Sequence, residues 1–486
     1  MPGRLESLYG SSLALLTDLY QLTMAVGYWR CGLANREAVF QLTFRTCPFD
    51  GSYAVACGLA DVVDFIENLR FADDDLNYLS AIAGADDKPL FSPSFLDELR
   101  DFKFSCDVHA IPEGTAVFPH EPLVRVQGPL MQCQLLETPL LTLINFPTLL
   151  ATKASRICQA AKGEPVLEFG LRRAQGIDGG VTAARAAYVG GCDATSNVLA
   201  GKLFGIPVKG THAHSWVMTF DDERIAFREY ADALPNNCIF LVDTYDTIAG
   251  VEYAIEVGRE LRQRGHEMIG VRLDSGDMAN LSIAARKMLD EAGFANAAIV
   301  ASNDLDEYRI SALKEKDAAI NVWGVGTRLT TAYEQPALGG VYKLAAIADE
   351  SGKLQPRIKL SDEQVKTSTP GVQQVRRYRT GGTFLADCIY EETLGTDEPP
   401  ADVHLADGSH VPIPANAEYE DLLQPIFRQG HLVCTLPTLD EVQSRTRRQL
   451  AQLPSATRQL QDPQPYPVGL EVGLQRLKQH LMDEER

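Results

Sequence analysis

Six times between residues 165 and 330, a short apolar run stops at a cluster of glycine and polar or charged residues. The runs Pro165-Val-Leu, Ile206-Pro-Val, Cys238-Ile-Phe-Leu-Val, Met268-Ile-Gly-Val, Ala298-Ile-Val and Asn321-Val-Trp are strand-like. The clusters that end them are Glu168-Phe-Gly-Leu-Arg-Arg, Gly210-Thr-His-Ala-His-Ser, Asp243-Thr-Tyr-Asp-Thr, Arg272-Leu-Asp-Ser-Gly-Asp, Ser302-Asn-Asp-Leu-Asp-Glu and Gly324-Val-Gly-Thr-Arg. Helical patterns follow most of them, as from Ile248 to Arg262 and from Leu281 to Ala292. Strand, cluster and helix in repetition predict a parallel α/β barrel or sheet. In such folds the residues at the carboxyl ends of the strands converge on one site.

Both flanks of this segment have another period. Residues 13 to 30 predict an amphipathic helix, with Leu19, Leu22, Thr23 and Val26 on one face and Thr17-Asp18 as its start signal. A strand is expected from Ala38 to Arg45, and further β runs between Asp107 and Val126. Beyond residue 338, Val341 to Ala348 with Leu354 to Leu360, and Val372 to Arg379 with Thr383 to Tyr390, read as hairpins. The expected organisation is a discontinuous β-rich domain from 1–145 plus 340–435, a barrel at 146–339 that carries the active site, and a helical C-terminal tail at 436–486. Residues 392–410, rich in Pro, Asp and Gly, are expected to form a surface loop, and the charged tail is read as an exposed structural cap.

Charge narrows the function. The 486 residues hold 45 basic and 65 acidic side chains, a net charge of −20, which argues against nucleic acid as a partner. It leaves room for a local basic pocket. The ten cysteines form no C-x-x-C pair, so reduced, mostly buried thiols in a cytoplasmic protein are expected. The N-terminus lacks an apolar signal core, and the apolar stretch Leu135 to Leu150 is interrupted by Glu137, Pro139, Asn145 and Pro147. No membrane span is expected.

Each cluster suggests chemistry and has a plainer alternative. Gly324, Gly326 and Thr327 can cradle a phosphate, or can simply make a tight strand-to-helix turn. Arg272 and Asp274 share the strand face opposite Val271 and Leu273. An inward arginine there calls for an anion, and Asp274 with Asp277 can hold diol hydroxyls or, through waters, Mg²⁺. The alternative is a helix cap and an internal ion pair. Phe169 and Arg272 can sandwich a flat heteroaromatic ring, with Arg172 on a phosphate, or Phe169 is core and the arginines are surface. His212 and His214 lack a third ligand type for zinc, and a buried structural histidine is the reading these residues favour by themselves.

Taken together and in order, the clusters resemble the nicotinate phosphoribosyltransferase family. The resemblance includes Leu16-Thr-Asp-Leu-Tyr-Gln-Leu-Thr-Met, Phe44-Arg45-x-x-Pro48-Phe49, Gly191-Cys-Asp-Ala-Thr-Ser-Asn and Gly339-Gly-Val-Tyr-Lys-Leu, and runs from about residue 13 to about 360. It implies an irregular parallel α/β barrel with a second β-rich α+β domain built from N- and C-terminal segments. It implies that nicotinate and 5-phosphoribosyl 1-diphosphate give nicotinate mononucleotide and diphosphate, a step of NAD biosynthesis. ATP hydrolysis is coupled through a phosphohistidine, with Mg²⁺ held mainly by diphosphate and a contact from Asp277 allowed. The family also implies a homodimer with shared active sites.

Matched position by position, the resemblance makes His214 the phosphorylated histidine. Tyr20, Thr211 and Arg272 become nicotinate contacts, with Tyr20 arriving from the partner subunit, and Phe169 stacks on the pyridine. Arg172, Asp274, Gly324, Gly326 and Thr327 surround the phosphoribosyl group, and Arg45 is a diphosphate contact from the neighbouring chain. His212 receives no role. The rivals are a nicotinamide phosphoribosyltransferase, a quinolinate phosphoribosyltransferase, a non-catalytic pyridine-nucleotide sensor and a barrel lyase; the last would need a Schiff-base lysine at a strand end, which no cluster supplies.

Overall fold

A computed structural model describes residues 8–10, 12–361, 363, 366–395 and 402–484. The chain divides into two compact units, residues 150–336 and residues 1–149 together with 337–486.

The central unit holds one six-stranded sheet. Its strands in chain order are β1 (Val166–Glu168), β2 (Ala194–Thr195), β3 (Ile239–Leu241), β4 (Gly270–Leu273), β5 (Ala298–Ser302) and β6 (Val322–Val325). In space they run β2-β1-β6-β5-β4-β3, every neighbouring pair parallel. Helices Gly176–Val189, Thr247–Gln263, Met278–Glu291 and Glu307–Glu315 connect them. Three of these helices start on an aspartate cap: Asp246 accepts from the Ala249 N–H, Asp277 from Asn280 and Asp306 from Arg309. The strands are short, and their centres are apolar and buried, as parallel strands covered by helices require.

One strand differs from expectation. Ile206-Pro-Val is not a ladder strand; it makes a single parallel bridge, Val208 to Thr195. The strand missed at that end of the sheet is β2, whose two residues fall inside the Gly191-Cys-Asp-Ala-Thr-Ser motif. Pro207 lacks an N–H, so this run cannot make a regular ladder on both sides.

The flanking unit interleaves both ends of the chain. Its seven-stranded sheet has Glu37–Phe44 between Gly340–Ala348 and Val124–Pro129, both antiparallel, with Phe44 opposite Gly340. Phe40 stacks on Tyr342 across that junction, ring centroids 5.0 Å apart. The expected amphipathic helix is Leu19–Arg30, with Asp18 and Gln21 forming a capping box. It buries Leu22 and Ala25 against Phe91, Phe95 and Leu99.

Two readings of the flanks need correction. The apolar stretch is not broken by its prolines: Glu137–Ala161 is one helix. Pro139 sits in the first turn, where no helical donor is needed, whereas Pro147 leaves the Leu143 carbonyl without its usual partner. Gly58 comes against that carbonyl so closely that a Cβ would lie 1.9 Å from its oxygen. The stretch Leu130–Ala161 is long and apolar enough to cross a membrane, but 61% of its apolar window is buried within the protein, as in a core helix.

The C-terminal segment is not a separate helical cap either. Besides helices Leu439–Gln452 and Val472–Glu484, it supplies strand Val468–Leu470, which lies inside a second six-stranded sheet between Asp402–Leu405 and Thr383–Glu391. Tyr466 stacks on Phe118 at 4.0 Å, and its hydroxyl donates to Asp387, the partner of fully buried Arg377. Periodicity alone does not reveal a three-residue strand. Of the expected surface loop at 392–410, residues 396–401 lie outside the described residues, and Asp402–Leu405 with His410–Pro412 form a hairpin.

Candidate active site

At the carboxyl ends of β1 to β6 the central unit opens into a cavity of about 730 Å³. That volume suits a nucleotide-sized ligand. The lining includes Phe169, Arg172, Thr211, His214, Arg272, Asp274, Gly324, Gly326 and Thr327, nine residues singled out from the sequence. Tyr20 and Arg45 belong to the flanking unit. Asp277, offered as a magnesium contact, is not part of the lining; it is the cap of helix Met278–Glu291, bonded to the backbone and side chain of Asn280.

Phe169 is positioned by the end of β1. Its N–H donates to Val325 O at 2.7 Å, carrying the ladder one residue past the strand. The preceding Glu168 is buried and accepts from the Thr195 hydroxyl at 2.6 Å, the Thr330 hydroxyl at 3.2 Å and the Gly170 N–H. Burial pushes its carboxyl pKa up, against those hydrogen bonds. The Phe169 ring lies on the bare Cα of Gly324: a Cβ there would come 2.9 Å from Cδ2. Gly324 therefore holds an aromatic floor flat, a task separate from cradling phosphate.

Arg272 extends from β4 between Val271 and Leu273, which are fully buried, so the expected alternation holds. Its Nη2 donates to His212 O at 2.9 Å, while Nε is buried and has no partner among the described residues. Burial pushes its pKa down, and Arg172 adds to the push, against Asp274 and Asp243. A guanidinium anchored by one arm on a cavity wall suits an anion.

His214 stands on a short helical turn, His214–Val217. Its Nδ1 is 3.2 Å from Thr244 Oγ1 and its Nε2 is 3.8 Å from Asp274 Oδ2. Asp274 is in turn fixed by the Ser302 hydroxyl at 2.6 Å. Its backbone N–H reaches Asp243 Oδ2 at 2.9 Å, which also accepts from Ser275. The other oxygen, Asp243 Oδ1, is buried with no partner among the described residues.

Thr211 and His212 serve the backbone. The Thr211 hydroxyl donates to Ile239 O at 2.5 Å and accepts from the His212 N–H at 2.6 Å. The His212 ring accepts from the Leu241 N–H at 3.3 Å and packs against Tyr230 at 4.8 Å. Burial pushes its pKa down to about 4, so the ring is neutral and can accept. Together the two residues tie this loop to the free edge of β3.

The residues that sequence reasoning left unassigned are Glu168, Asp243, Thr244, Ser302 and Asp304. All five lie within the quoted strand-end clusters, so position was the available signal; apart from those of Glu168, the partners named for them come from other clusters. Asp304 has a left-handed backbone, φ 48°, and is paired with Arg328 at 3.3 Å.

Among the described residues no group of three or more His, Cys, Asp or Glu is placed to hold a metal ion. Asp274, on the cavity wall, fits instead an ion that arrives with phosphate ligands, as Mg²⁺ commonly does.

Three family profiles match in order along the chain. They are the nicotinate phosphoribosyltransferase N-terminal domain at residues 15–145, the nicotinate phosphoribosyltransferase family at 166–381 and its C-terminal domain at 372–478. The nicotinate phosphoribosyltransferase of Bacillus subtilis (strain 168) is 44% identical over 466 residues, spanning 94% of this chain and 93% of its own. That of Homo sapiens is 38% identical over 526 residues, spanning 95% of each. The crystal structure of human nicotinic acid phosphoribosyltransferase superposes with a TM-score of 0.83 at 35% identity, covering 96% of this chain and 99% of that one. By sequence over most of its length and by fold, the chain belongs to the nicotinate phosphoribosyltransferase family.

Proposed function

We propose that the protein joins nicotinate to 5-phosphoribosyl 1-diphosphate, releasing nicotinate mononucleotide and diphosphate, and that ATP drives the cycle through a phosphorylated His214. The observation that carries the reading is Arg272, a half-buried guanidinium anchored on the His212 carbonyl, in the same cavity as the Phe169 ring. A pyridine with a carboxylate answers both: the ring lies against Phe169, and the carboxylate pairs with the Arg272 guanidinium. Thr211 shapes this wall through its backbone contacts. Tyr20 would complete it from a partner subunit.

The chemistry then asks little of the protein beyond placement. The bond from ribose C1 to the diphosphate oxygen breaks with its electrons leaving on diphosphate, and the pyridine nitrogen bonds to C1 from the opposite face. No general base is needed, because the nucleophile is already a free lone pair. Arg172 and the backbone at Gly324, Gly326 and Thr327 hold the phosphoribosyl end, and Asp274 is available to the ribose hydroxyls. Asp274 would hold a Mg²⁺ brought by diphosphate, which would neutralise charge on the leaving oxygens.

In the coupling step, an imidazole nitrogen of His214 takes the γ-phosphoryl group of ATP as the bond to ADP breaks, and water later removes it. The added charge beside Asp274 favours a metal-bound diphosphate. A homodimer with shared sites follows from the roles of Tyr20 and Arg45. The ten cysteines, none of them in a disulfide, support a reducing cytoplasmic setting.

The test is transfer of the γ-phosphoryl group of labelled ATP to protein. An acid-labile, base-stable adduct at His214 is expected, absent in His214→Ala, which should retain weak synthesis that ATP does not stimulate. Full ATP stimulation of that variant would remove His214 from the mechanism.

A further inference from the structure

The flanking unit has a small cleft of its own, about 40 Å³, beside Arg45. It is lined by Arg45 and Thr43 from the N-terminal segment, His120, and Lys343 with Thr367 and Thr369 from the C-terminal segment. The space admits a few waters or one phosphoryl group, and excludes a base or a sugar. The chain as a whole carries a charge of −20, yet Arg45 and Lys343 have no carboxylate partner among the described residues.

A further cation stands behind this wall. Lys478, on the last helix Val472–Glu484, is half-buried; among the described residues its ammonium makes one hydrogen bond, to Thr369 Oγ1 at 3.3 Å, and no ion pair. Burial pushes its pKa down. Burial pushes the His120 pKa down, and Lys478 and then Arg45 add to the push, so two cations act on the space beside a neutral imidazole. An ammonium left half-buried without a counter-charge is unfavourable unless an anion joins it.

We propose that Lys478 is the positioning cation that completes this cleft as a site for a terminal phosphoryl group, so that the C-terminal helix carries a binding function. The inference rests on the phosphoribosyl diphosphate reading above and extends its diphosphate contact, Arg45, to a residue near the far end of the chain. The ligand chemistry is a diphosphate group, either free or as the end of phosphoribosyl diphosphate.

The test uses the full chain with Lys478→Gln and Lys478→Arg, and Thr369→Val as a second way to release the ammonium. Inorganic diphosphate binding is measured by calorimetry, and KM is measured for phosphoribosyl diphosphate and for nicotinate. Loss of one charge-assisted contact predicts about tenfold weaker diphosphate binding in Lys478→Gln and an unchanged nicotinate KM. Lys478→Arg should return to within about twofold of the parent protein. A parallel rise in the phosphoribosyl diphosphate KM assigns the site to the substrate; weaker binding with that KM fixed assigns it to free diphosphate. Unchanged diphosphate binding in both Lys478→Gln and Thr369→Val, with parental melting temperatures, overturns the proposal. A parent protein that makes no nucleotide from nicotinate would defeat the functional reading, while the calorimetry would still decide the role of Lys478.

Discussion

Nε2 of His214 lies 3.8 Å from Oδ2 of Asp274, while the other ring nitrogen faces the Thr244 hydroxyl at 3.2 Å. The imidazole is thus held between a strand-end carboxylate and a strand-end hydroxyl from two different clusters. A ring guided on both sides has the fixed orientation that the proposed phosphoryl transfer to His214 would need.

Thr244→Val should therefore slow ATP-dependent phosphorylation of His214 by about tenfold, the scale of one hydrogen bond to a reacting group. Synthesis without ATP should be unaffected. Single-turnover labelling with and without nicotinate separates the two.

Arg272→Lys keeps the charge but loses the forked donor set. The KM for nicotinate should rise by about ten- to a hundredfold, while the KM for phosphoribosyl diphosphate changes little. Equal effects on both substrates would mean that Arg272 serves the whole site rather than the carboxylate.

Gly324→Ala places a methyl group 2.9 Å from the Phe169 ring. Overpacking of this kind costs about 1–3 kcal/mol. The ring must tilt off the wall, so nicotinate affinity should fall together with melting temperature. A simultaneous Phe169→Leu should recover the stability without recovering the affinity.

Much of this site was legible because the clusters are contiguous in sequence: Phe169, Arg172, Arg272 and Asp274 sit at strand ends where the apolar runs stop. What was not legible was reciprocal. Thr244 and Ser302 gain their roles from His214 and Asp274, which lie on other strands, and no spacing along the chain encodes that pairing. Likewise β2 and Val468–Leu470 are too short to show a period, and Pro147 reads as a helix breaker until Gly58 is seen against the carbonyl it frees. His212, without a role from the sequence, is explained by a backbone N–H on Leu241.

Glu223 supplies a pH test. Its carboxyl is buried, with Oε1 unpartnered among the described residues, and its pKa is pushed up to about 7 by burial, then by Asp222, Asp243 and Asp246. The folded chain thus holds a proton that the unfolded chain releases nearer pH 4.5. The stability it contributes is present below that value and is lost as pH rises through about 7. Glu223→Gln should match the parent protein near pH 4.5 and melt higher at about pH 8. A constant difference in melting temperature across the range would contradict the burial argument.

The most direct measurement is diphosphate release from 5-phosphoribosyl 1-diphosphate with nicotinate or nicotinamide, each with and without ATP. Release that requires nicotinate, rises with ATP and yields nicotinate mononucleotide is the predicted result. Equal release with nicotinamide, or none with nicotinate, would contradict the assignment of Arg272 and Phe169 to a pyridine carboxylate.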